Sequence, residues 1–118
     1  MLIFPKAVNF YLGLDPVDMR KSINGLSMIV ADILDQDPAC GHVFIFINKT
    51  RKKLKLLCWD GNGFVMYYKR LLKGRFRFPM DLGLKEIVLT KSQLDDLLSG
   101  LEFKSIFPEF NVGHNQYF

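Results

Sequence analysis

Little in this chain is equipped for covalent chemistry. Of 118 residues only two are cysteine and two histidine. Cys40 and Cys58 stand alone, without a C-x-x-C pattern, so both read as free, reduced thiols, with a chance pairing in space as the minor alternative. His42 and His114 are far apart, and a histidine without a spaced partner is a poor metal ligand. No glycine-rich loop follows a strand and opens a helix, which excludes a phosphate-cradling motif of that kind. No apolar run is long enough to span a bilayer. The N-terminal stretch MLIFPKAVNFYLGLDP lacks the charged start, long apolar run and small-residue cleavage site of a signal peptide, so the expectation is a cytoplasmic protein without membrane contact. There is no internal repeat and no low-complexity tract.

Acidic residues are missing from one place in particular. Residues 49–79 (KTRKKLKLLCWDGNGFVMYYKRLLKGRFRFP) hold ten basic side chains and a single acid, Asp60. That segment carries nine net positive charges and the rest of the chain five net negative ones, a division hidden by the overall charge of +4. Aromatic residues (Trp59, Tyr67, Tyr68, Phe76 and Phe78) are interleaved with these charges. A cationic ribbon of this kind points to a polyanion surface, and nucleic acid is the commonest polyanion.

Hydrophobic residues make up 49% of the chain, enough for a core, and the length predicts one domain. In the first strand, residues 8–14, Val8, Phe10 and Leu12 alternate with Asn9, Tyr11 and Gly13. Asp15-Pro16-Val17-Asp18 reads as a helix start, with Asp15 able to cap and Pro16 suited to the first helical position. Ile23, Leu26, Ile29, Val30, Ile33 and Leu34 predict an amphipathic helix over 22–36, with Asn24-Gly25 a weak spot and Asp37-Pro38 the stop. HVFIFIN, residues 42–48, is a near-continuous apolar run, the mark of a central strand covered on both faces.

Residues 53–59 alternate, with Leu54, Leu56 and Cys58 on one side and Lys53, Lys55, Leu57 and Trp59 on the other. Asp60-Gly61-Asn62-Gly63 is a hairpin turn, and residues 64–71 return. Residues 75–78 alternate as a short strand stopped by Pro79, and 85–89 is a further strand. Thr90-Lys91-Ser92-Gln93 has the form of a capping box ahead of Leu94, Leu97, Leu98 and Leu101. The expected fold is α+β: a mainly antiparallel twisted sheet in the order β-α-β-β-β-β-α, with two amphipathic helices packed on one face. Residues 1–103 form the expected single domain, and 104–118 a tail that is either flexible or docks on a partner.

Four phrases, in this order, carry a resemblance: Asp18-Met19-Arg20-Lys21 with Gly25-Leu26; Gly41-His42-Val43-Phe44; Lys55-Leu56-Leu57-Cys58-Trp59-Asp60-Gly61-Asn62-Gly63-Phe64; and Tyr68-Lys69-Arg70-Leu71 with Gly74-Arg75-Phe76 and Pro79. Together the chain resembles the small accessory protein (second reading frame, TnpB type) of the bacterial insertion-sequence family sixty-six. The resemblance marks Asp18, Met19, Arg20, Lys21, Trp59, Asp60, Gly61 and Gly63 as family-motif positions. It implies a role in transposition beside a separate, larger transposase that is encoded with it, and it supplies no catalytic residues. Cys58 stands where an aromatic residue is common in that family, and Met66-Tyr67 replaces a Leu-Trp-type pair.

A nuclease needs carboxylates to hold metal near a phosphate. Asp15 and Asp18 are better explained as helix-start residues, and Asp60 as a turn residue. The expectation is therefore no catalytic residue, no metal, no cofactor and no enzyme; a metal-dependent nuclease is the weakest reading. If residues 53–59 pair with 64–71, the basic groups at 49–53 and 69–77 converge at one tip. Lys49, Arg51, Lys52, Lys53, Lys55, Lys69, Arg70, Lys73, Arg75 and Arg77 are then the candidate DNA-binding residues. Arg20 and Lys21 either join that surface or pair with Asp18 or another acid. The plainer account is a solvated strand face, since lysines also protect sheet edges. The alternative function is a protein-interaction adaptor whose ribbon and tail dock on the transposase without touching DNA.

Overall fold

The computed structural model describes residues 8–79 and 82–100. Their elements run β1 (Phe10–Gly13), α1 (Ile23–Asp32), β2 (Val43–Ile47), β3 (Lys53–Trp59), β4 (Phe64–Arg70), β5 (Glu86–Leu89) and α2 (Lys91–Leu98). This is the expected order, without the short strand at 75–78. The five strands form one sheet, arranged β4-β3-β2-β1-β5. Three of its pairings are antiparallel, and β1 pairs with β2 in parallel. The sheet is therefore mixed. A parallel neighbour requires a crossover, and α1 supplies it.

Every residue of β2 is buried, as its unbroken apolar run requires. Its alternate side chains feed two separate cores. Val43, Ile45 and Ile47 point into one with Phe10, Leu12, Leu54, Leu56, Phe76 and the α2 residues Leu94 and Leu97. Phe44 and Phe46 point into the other with Leu57, Val17 and the α1 residues Leu26 and Val30. The helices thus cover opposite faces. The expectation of both helices on one face is corrected, because a strand apolar on both sides needs a layer against each.

Two local readings also change. Residues 15–21 are not helical, and α1 begins at Ile23 with Ser22 as its N-cap. The backbone of this loop is satisfied elsewhere: Val17 N–H donates to the Ile47 carbonyl, and Lys21 N–H to that of Asp18. The expected strand at 75–78 is absent. Its alternation survives without a ladder, since Phe76 and Phe78 are core residues and Arg75 and Arg77 are exposed. A backbone bond, Phe76 N–H to the Arg51 carbonyl at 2.7 Å, ties the segment down. The capping box of α2 forms in full. Gln93 N–H donates to Thr90 Oγ1 at 3.0 Å, and Thr90 N–H donates to Gln93 Oε1 at 2.9 Å. Leu101 and residues 104–118 lie outside the described residues, as does His114.

A cationic tip beside an open groove

The turn between β2 and β3 is built around Asn48. Its Oδ1 accepts the N–H groups of Lys52 and Lys53 at 3.1 and 3.0 Å, and its carbonyl accepts Arg51 N–H. These bonds hold Arg51 at φ 63°, in the left-handed region. That conformation costs a non-glycine residue roughly 1–2 kcal/mol. The end of β4 closes against the same turn through Leu71 N–H and the Lys52 carbonyl. The two basic groups do converge, as the pairing of 53–59 with 64–71 requires. Lys49, Arg51, Lys52, Lys53, Arg70, Lys73, Arg75 and Arg77 gather at one end of the sheet.

Two of the ten candidates do not belong to that surface. Lys55 is 7% exposed. Its ammonium donates to the carbonyls of Met19 and Lys21, both at 2.8 Å, and lies 5.3 Å from the centre of the Tyr68 ring. Alternation put Lys55 on the same side as Lys53, correctly, but α1 and the loop before it cover that side. Lys69 donates to the Leu98 carbonyl at 2.7 Å, at the C-terminal end of α2, where a cation meets the negative end of the helix dipole. Both ammonium groups are hydrogen-bonded within the fold.

Lys53 and Arg70 are direct cross-strand partners. Like charges placed so oppose pairing. Among the described residues neither has an acid against it, because the ion pairs there are Arg20 with Asp18 and Lys91 with Asp95.

Between this tip and the 15–21 loop runs an open groove of about 570 Å³. Arg20, Lys49, Lys53, Asn48 and Tyr68 line it together with Asp18 and Met19. Lys55 fixes the loop wall from below through the two carbonyls. Arg20 grips Asp18 with Nε and Nη2, the shortest contact being 2.6 Å, and its own N–H also donates to Asp18 Oδ1. These bonds hold the Asp18 carboxyl down at about 2, against its ordinary 3.8. Arg20 is therefore paired with Asp18, while the family-motif residues Met19 and Lys21 serve through their backbone carbonyls. A second groove, about 500 Å³, runs along the other side of the turn and brings Asp15 and Lys85 beside Lys49 and Arg51.

The remaining motif residues lie elsewhere. Trp59, Asp60, Gly61 and Gly63 form the hairpin at the other end of β3, about 20 Å away at ordinary strand rise. Asp60 N–H donates to the Gly63 carbonyl, Gly61 takes φ 72°, and Trp59 meets Phe64 edge to face. These are turn and packing roles. Among the described residues no three His, Cys, Asp or Glu side chains gather to hold a metal ion. His42 Nδ1 accepts Asn9 N–H at 3.0 Å, a structural bond. Both thiols are free, and burial, with smaller contributions from Asp60 and Cys40, pushes the Cys58 thiol up. No helix among the described residues is long and apolar enough to cross a membrane. What sequence reasoning missed is Tyr68 and the loop wall: the hairpin pairs Tyr68 with Lys55, on the same side as Lys53, but nothing local shows that residues 15–21 lie across from it.

Comparison with known proteins gives two kinds of match. The family model described as IS66 Orf2 like protein matches residues 8–107. Two curated proteins of Sinorhizobium fredii (strain NBRC 101917 / NGR234) are similar. Uncharacterized protein y4jC is 36% identical over 74 residues, which span 63% of this chain and 63% of that protein. Uncharacterized protein y4hO is 32% identical over 104 residues, spanning 88% of this chain and 90% of that protein. No solved structure matches the chain.

Proposed function

The chain belongs to the IS66 Orf2-like family, a family of transposition-associated accessory proteins rather than a known enzyme class, and from that premise we propose that it is a non-catalytic factor that binds DNA and assists a separate transposase in the cytoplasm. The observation that carries the DNA reading is the cationic tip. Eight basic residues lie there, on the β2–β3 turn, the end of β4 and the segment after it. Neutralising phosphates with such a cluster releases counterions and makes binding fall steeply with salt. Arg51 adds to the case. It occupies a strained backbone position that glycine or asparagine would fill at less cost. Lys53 opposite Arg70 adds again, since an anion laid between them removes their repulsion.

The test is fluorescence anisotropy with a duplex from the element's terminal repeat and with an unrelated duplex, across a salt series. A variant carrying Arg51→Ala, Lys53→Ala and Arg77→Ala runs beside the wild type. Salt-sensitive binding is expected, with the slope of log K against log salt reduced by about 2–3 in the variant. Preference for the terminal repeat would make the protein an end-recognition factor. Absence of binding to either duplex at low salt would overturn the DNA reading.

A further inference from the structure

The groove beside the tip has features that a phosphate-tracking surface does not need. Its concave wall carries an aromatic ring, Tyr68, which is 49% exposed. The Lys55 ammonium holds that ring at 5.3 Å, while Lys55 itself is fixed by two carbonyls. The ring is thus a braced platform on an edge strand rather than a core residue. Lys49 and Lys53 share the groove, and neither is held in an ion pair among the described residues. The carboxylate that also lines it, Asp18, is already taken by Arg20. Cations for phosphate and a positioned aromatic face for a base are the two elements of single-strand recognition. The volume, about 570 Å³, suits a ligand of small-molecule size.

We propose that this groove receives one unpaired nucleotide of a DNA strand, its base against Tyr68 and its phosphate between Lys49 and Lys53. This rests on the DNA-binding reading above and narrows it. In a duplex the base faces are stacked against one another, out of reach of a ring set in a concave wall; an unpaired base offers its face. The tip then holds the neighbouring backbone, and the groove distinguishes a frayed or single-stranded end from a closed duplex.

The experiment titrates labelled short oligothymidine and a duplex of equal length with wild type, Tyr68→Ala and Tyr68→Phe. Loss of the ring is expected to weaken oligothymidine binding about fivefold to a hundredfold and duplex binding less than twofold, with Tyr68→Phe close to wild type. Because Tyr68→Ala also removes the partner of Lys55, a second measurement uses the wild type alone. Oligothymidine carrying iodouracil is photocrosslinked, and the attachment is located within the 56–69 peptide by fragmentation, with Tyr68 the expected residue. Crosslinks that map elsewhere, or a Tyr68→Ala variant that binds oligothymidine as the wild type does, would overturn the proposal. Wild type that binds duplex but ignores oligothymidine would sink the groove and leave the DNA reading standing. Binding to neither would sink both.

Discussion

Lys55→Met separates a structural lysine from a DNA-binding one. Methionine keeps most of the apolar stem of a residue that pairs with Phe46 of β2, and removes the ammonium. The carbonyls of Met19 and Lys21 then lose their 2.8 Å donor. A hydrogen bond from a charged donor contributes about 1.5–3 kcal/mol net. Relief from burying the ammonium and water reaching the loop carbonyls offset part of the loss. The balance is a destabilisation of about 2–4 kcal/mol, a large part of the 5–15 kcal/mol typical of a domain. Urea unfolding at constant m-value measures it directly. The same variant is then tested for DNA binding at a temperature where it is folded. If Lys55 touched phosphate, the salt slope would fall by about 1. An unchanged slope with lowered stability is the expected pair of results. Stability within 0.5 kcal/mol of wild type, the ordinary range for surface substitutions, together with a reduced slope, would refute the structural assignment and return Lys55 to the surface.

Other outcomes follow from single contacts. Arg51→Gly relieves the positive φ, so chemical denaturation should show the variant at least as stable as wild type while anisotropy shows weaker DNA binding; a clear loss of stability would contradict the strain argument. Thr90→Ala removes one leg of the capping box and should cost on the order of 1 kcal/mol, read as a lower melting temperature, with Thr90→Ser nearly neutral. The Asp18 carboxyl, followed by NMR, should titrate with a midpoint about 2. Because the folded value lies below the ordinary 3.8, its contribution to stability is complete above that value and is lost as the pH falls through the folded one. Replacing Arg20 by Gln should move the midpoint up towards 3.8, and a wild-type midpoint already near 4 would show that the pair is not formed in solution.

Much of this architecture is legible in local sequence, because local spacing decides it. Period-two alternation in 53–59 and 64–71 and the turn residues 60–63 specify the β3–β4 hairpin and its register. Thr90 and Gln93 specify where α2 begins. Charge segregation locates the cationic tip, since antiparallel pairing by itself returns residues 69–77 to the turn at 48–53. The run of residues 42–48 even states that both sides of β2 are covered, although the sequence names no helix for either side.

What tertiary structure decided is everything that depends on partners distant in the chain. The parallel pairing of β1 with β2 follows from where α1 packs, and no local pattern records it. Asp15-Pro16-Val17-Asp18 has the residues of a helix start. It stays irregular where Val17 N–H bonds the Ile47 carbonyl and Lys55 holds the carbonyls of Met19 and Lys21 just after it. Residues 75–78 alternate like a strand, yet no strand among the described residues offers them a ladder. Strand alternation sets which side of the sheet a lysine occupies. Whether that side is water or a loop 34 residues away in sequence is settled only by packing, and it makes Lys55 a brace and Lys53 a surface charge.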